Sequence, residues 1–104
     1  MSRRTVFIGK KPLHSYIRAV LMAMQEGELE VQLVARGGNI SRAVDVAELC
    51  RRRHGNIAQL LPENIEILDI QSSSEPIEND DGYVRTVSVL TIVMKGDGDF
   101  GQEE

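Results

Sequence analysis

A chain of 104 residues with 41% apolar content and no Trp has material for one hydrophobic core, built from Val, Ile, Leu, Ala and Met, so a single domain is expected. Cys50 as the single cysteine excludes an intramolecular disulfide, and with no signal peptide and no membrane-length apolar run a soluble protein of the reducing cytoplasm is expected. The net charge of −4 at pH 7 would by itself disfavour phosphate ligands, but residues 1–53 hold ten Lys/Arg against five Asp/Glu, a balance of +5, while residues 54–104 hold two against eleven, a balance of −9, so one half carries a basic surface.

Thr5-Val6-Phe7-Ile8 is a run of consecutive β-prone residues and predicts a first strand. Gly9-Lys10-Lys11-Pro12 breaks it, and Pro12 suits the first position of a helix, where its missing N–H leaves nothing unsatisfied. Leu13, Tyr16, Ile17, Val20, Leu21 and Met24 then recur on one helical face that ends near Gly27. Leu29 to Ala35 alternates as a second strand and runs into the turn Arg36-Gly37-Gly38-Asn39, after which Asn39 or Ser41 caps a second helix. Ile40, Ala43, Val44, Ala47 and Cys50 form its main stripe; Val46 and Leu49 add apolar surface on a second side, which predicts a partner subunit. Arg51-Arg52-Arg53 complements the dipole of the last turn before Gly55.

Residues 56–64 read as a connector containing Ile57, Leu60 and Leu61. Ile65, Ile67 and Ile70, interleaved with Glu66 and Asp69, predict a third strand, and Thr86 to Lys95 a fourth. Between them residues 72–82 are polar and acidic with a hairpin signal at Asp81-Gly82, so the two strands are expected to continue outward as an arm. The domain is expected to cover 1–95, with the Gly-rich acidic residues 96–104 as a disordered tail. The order β-α-β-α-β-β implies an α+β two-layer sandwich, both helices on one face of a mixed four-stranded sheet.

Three segments resemble the Alba family of archaeal chromatin proteins: Ile8-Gly9-Lys10-Lys11-Pro12 followed by Tyr16, Ala35-Arg36-Gly37 followed by Ile40-Ser41-Arg42-Ala43-Val44-Asp45, and Asn64-Ile65-Glu66-Ile67. They stand in the family's order and spacing across residues 5–95. The resemblance implies a fold similar to the C-terminal domain of translation initiation factor 3. It also implies a chromosome-associated dimer that binds double-stranded DNA and RNA through the backbone, as in chromosome compaction. The family's backbone-contacting lysine pair matches Lys10 and Lys11, in a strand-to-helix turn where a helix N-terminus adds partial positive charge. Arg36 and Arg42 flank the next turn and are placed to converge on the same face; Asn39, between them, is counted with the site. Tyr16 either flanks the lysines at the nucleic acid or packs with Ile17, and Arg85 is the best match to the hairpin base that enters the minor groove.

The departures from the family pattern have a direction. Gly38 replaces a frequent second Arg, and the hairpin carries Glu75, Glu78, Asp80 and Asp81, each of which repels phosphate. Leu60 or Leu61 stands where many members place a Phe that packs one dimer against the next. The family includes divergent copies that pair with a basic sister, so a heterodimer with an Alba paralogue, in which this acidic chain modulates its partner's binding, stands beside the homodimer.

Other chemistry has little support. Cys50 and His54 at i, i+4 supply two metal ligands where a site needs more, so no metal is expected. His14 has no nucleophile or orienting carboxylate in a recognisable motif, and Arg36-Gly37-Gly38-Asn39 lacks the Gly-Lys-Ser/Thr ending of a phosphate-binding P-loop. A binding protein without cofactor, rather than an enzyme, is the expectation.

Overall fold

The computed structural model describes residues 3–102. Strand β1 (Arg4–Ile8) leads through helix α1 (Leu13–Gln25) to β2 (Glu30–Arg36); a 3-10 turn (Gly37–Asn39) opens helix α2 (Ile40–Arg51); a second 3-10 turn (Ala58–Leu60) precedes the long strands β3 (Pro62–Glu78) and β4 (Val84–Phe100). The strands form one sheet in the order β1-β2-β4-β3. β1 and β2 pair in parallel because a helix carries the chain back between them, whereas β2–β4 and β3–β4 are antiparallel. The expected sandwich with two helices on a mixed sheet is therefore the fold.

The core follows from the apolar spacing. α1 buries Tyr16, Ile17, Val20, Leu21, Ala23 and Met24, and α2 buries Ala43, Val46, Ala47 and Cys50. They close over Val6, Ile8, Val31, Leu33, Ala35, Ile92 and Met94, the inward side chains of three strands. Full burial of each large aliphatic group stabilises the fold by about 1.5–3 kcal/mol, so cutting Leu33 to Ala costs about 2–5 kcal/mol. Val46 is wholly buried and Leu49 packs against this same core. The second apolar side of α2 thus serves this chain's own sheet, and the inference of a partner surface from those two residues is corrected. Leu61 is likewise fully buried and Leu60 packs on the core, so neither projects as a contact between dimers.

In β3, Ile65 and Ile67 are two residues apart but Ile67 and Ile70 are three. A register shift between Ile67 and Asp69 absorbs the extra residue, leaving Leu68 without a ladder partner and exposed. This bulge keeps Ile67 and Ile70 on one face, opposite Met94 and Ile92. Beyond Ile70 the two strands run past the helical layer as the expected arm, which stretches the molecule to 53 × 28 × 20 Å. The arm turns at residues 79–83, where Asn79 Oδ1 accepts the N–H of Asp81 and of Tyr83 and Gly82 takes a φ of 80°.

The expected disordered tail is the second correction. Gly96–Phe100 continue β4, with Gly96 opposite Ile65 and Phe100 opposite Pro62, and Phe100 packs on the core. The glycine that weakens strand propensity is required by packing: a Cβ at Gly96 would lie 2.8 Å from Met24 Sδ and 3.0 Å from Pro62 Cγ. Past the strand, the Gly101 N–H donates to the carbonyls of Leu60 and Leu61. Residues 103–104, also assigned to that tail, lie outside the described residues.

Candidate nucleic-acid interface

Ile8, the last residue of β1, pairs with Ala35, so the Gly9-Lys10-Lys11 loop and Arg36 leave the sheet at the same end. β4 runs antiparallel to β2 with Val89 opposite Arg36, which sends the arm out beyond that end as well. Arg85 lies four residues further along β4, about 13 Å at the usual rise per strand residue.

Two side chains hold the loop. The Tyr16 hydroxyl, on a side chain 7% exposed, accepts the N–H of Gly9 and of Lys11, each at 2.9 Å. From α2, Arg42 Nε donates to the Gly9 carbonyl at 2.8 Å and its Nη2 donates to the Lys11 carbonyl. Both polar groups of Gly9 and of Lys11 are thereby satisfied by side chains from the two helices, and Lys10 and Lys11 are left exposed. Tyr16 does more than pack with Ile17, and Arg42 is directed at the loop backbone. Neither role was legible from spacing alone, since Arg42 acts on residues 31 and 33 positions away.

The remaining site residues divide. Arg36 is half-exposed and ion-paired to Glu75 of the arm. Arg85 is exposed, opposite Ile77. Among the described residues Lys10, Lys11 and Arg85 enter no ion pair, whereas much of the basic half is internally matched: Arg3 with Glu30, Arg4 with Glu26 and Glu28, Arg51 with Glu48. Asn39 precedes α2 without a side-chain capping bond, and its Oδ1 is buried and unpartnered, so it is held inward. Arg51 neutralises its neighbour: its hydrogen bond holds the Glu48 carboxyl below the ordinary range, and that carboxylate raises Arg51 in turn. Arg53 donates to the Gln59 carbonyl and pins the connector.

No group of three or more His, Cys, Asp or Glu side chains among the described residues is arranged to hold a metal. No described helix is long and apolar enough to cross a membrane.

These features define a small two-layer α+β protein that presents a braced lysine loop beside a long β-arm. The Alba family model matches residues 4–74. The chain is 40% identical over 95 residues to DNA/RNA-binding protein Alba 1 of Archaeoglobus fulgidus, covering 91% of this chain and 99% of that one. It is 47% identical over 90 residues to DNA/RNA-binding protein Alba of Nanoarchaeum equitans, covering 86% and 93%. The solved structure of Alba from Thermoplasma volcanium superposes with a TM-score of 0.73 at 30% identity, over 88% of this chain and 99% of that one. The chain belongs to the Alba family. The model match stops at Ser74, one residue before Glu75, so the acidic arm tip lies outside it.

Proposed function

We propose that this protein binds double-stranded DNA or RNA through the phosphate backbone, with little base specificity and without catalysis, and that it acts on the chromosome or on RNA as a dimer. The observation that carries the reading is the braced loop: Tyr16 and Arg42 hold Gly9 and Lys11, while both lysines stand exposed and, among the described residues, without acidic partners. A loop already ordered in the free protein loses little conformational freedom on meeting phosphate. The names of the Archaeoglobus and Nanoarchaeum relatives agree with this ligand class. In this reading Lys10, Lys11 and Arg36 meet the backbone, Arg85 follows the groove along the arm, and Tyr16, Arg42 and Asn39 shape the surface from beneath.

The dimer is supported by apolar side chains left exposed on α2 and on the free edge strand β3, namely Val44, Leu68 and Ile70, which a second copy would cover. A second reading rests on the arm's acids Glu78, Asp80 and Asp81, which enter no ion pair among the described residues: a heterodimer with a basic Alba paralogue whose binding this chain tunes.

Replacing Lys10 and Lys11 together with Ala tests the interface. Affinity should fall for all duplex sequences alike, and the slope of log K against log salt should become shallower by about 1.8 units for two lost phosphate contacts. An unchanged slope places the binding face elsewhere. A wild-type chain that binds duplex only when mixed with a basic paralogue, sedimenting alone as a monomer, favours the second reading.

A further inference from the structure

We propose that Glu75 is an internal competitor of nucleic-acid phosphate for Arg36 and thereby sets the affinity and salt response of the interface; this rests on reading the lysine-loop end of the sheet as the nucleic-acid surface. Arg36 is the last residue of β2, opposite Val89, and Glu75 sits on β3 opposite Val87. The ion pair therefore reaches across β4, on the sheet face that carries no helices. Both backbones are held in strand ladders, so the contact is a product of register rather than of a mobile loop. Among the described residues each is the other's one ion-pair partner. Side-chain exposures of 46% and 40% leave the pair open to exchange with a ligand. The immediate neighbours on that face, Ser73, Val87 and Val89, carry no charge, and the next cation along it is Arg85, opposite Ile77, which pairs with no acid among the described residues. Glu78, Asp80 and Asp81 lie further out and are matched to no cation among the described residues, so they repel phosphate diffusely, whereas Glu75 occupies a specific donor.

Phosphate binding at Arg36 is then an exchange. Arg36 and Glu75 together are neutral, and the displaced carboxylate stays beside the duplex, so the pair brings almost no net positive charge to the phosphate and releases little of its condensed cation. Arg36 consequently contributes little to the salt slope of the native protein, although it lies beside the lysine loop.

A double-mutant cycle tests this, with native protein, Glu75→Gln, Arg36→Gln and the double variant titrated into duplex DNA by fluorescence anisotropy from low to physiological salt. Glu75→Gln should tighten binding about two- to fivefold at low salt, the range set by an exposed ion pair, and steepen the slope by about one unit. In the Arg36→Gln background the same change should leave affinity within the small effect of one distant charge. Equal gains in both backgrounds overturn the proposal in favour of general repulsion, and so does the absence of any gain in the native background. Both positions are half-exposed, and a circular-dichroism melt of each variant verifies that it folds. The Lys10→Ala Lys11→Ala variant in the same series separates the two levels. If it weakens binding while the cycle shows no coupling, only the competition fails; if it binds like wild type, the interface itself fails and the competition with it.

Discussion

Tyr16→Phe is the most direct probe of the brace beneath the lysine loop. The ring is 7% exposed and Phe fills nearly the same volume, so the substitution removes the hydroxyl and leaves the packing. Two N–H donors, from Gly9 and Lys11, each lose an acceptor at 2.9 Å. Each bond contributes about 0.5–1.5 kcal/mol net, and water reaches the exposed Lys11 more readily than the half-buried Gly9, so the combined loss should be about 1–2 kcal/mol. In a chain of this size that lowers the melting temperature by roughly 5–15 °C. Amide hydrogen exchange at Gly9 and Lys11 in the free protein should accelerate, because these amides would no longer be held from within. Duplex affinity should fall with the salt slope unchanged, since no cation is lost and only the ordering of the loop must be supplied on binding. If the melt and the exchange of both amides match wild type, the hydroxyl does not brace the loop in the free protein and the argument fails.

Two further perturbations probe the body of the fold. Gly101→Ala would place a Cβ 1.8 Å from the Gln59 carbonyl oxygen, a backbone atom that cannot step aside, so it should destabilise the protein by about 1–3 kcal/mol in urea unfolding; a neutral result would mean the chain end is loose after all. Burial pushes the Cys50 thiol up from 9.0 to about 12. The folded state therefore keeps a proton that the unfolded chain releases above pH 9: this contribution is fully present below pH 9 and is lost as the pH climbs towards 12, at up to about 1.4 kcal/mol per pH unit. Cys50→Ala should flatten the alkaline fall in stability relative to wild type between pH 9 and 11, and parallel pH profiles would contradict the burial of the thiol.

Local pattern was enough to recover the elements. The i, i+3, i+4 spacing from Leu13 to Met24 can bury one face only as a helix, and the β-prone run before Gly9 and the alternation after Leu29 give the strands that pair in parallel around it. The Gly-Lys-Lys-Pro break, read with the family resemblance, also marked the loop that carries the proposed site. What sequence could not supply depends on who lies opposite whom. Val46 and Leu49 look like surplus apolar surface on an isolated helix, but the two-layer packing turns both towards the core and leaves Val44 exposed instead. The composition of residues 96–104 reads as a flexible tail, whereas Gly96 is small because Met24 and Pro62 press against it from elements distant in sequence. A cation count of ten in the first half says nothing of how many are already matched, and only the register of β2, β4 and β3 brings Glu75 to Arg36, 39 residues away. Periodicity is a property of neighbours along the chain; partnership across a sheet is set by long-range pairing that no window of sequence contains.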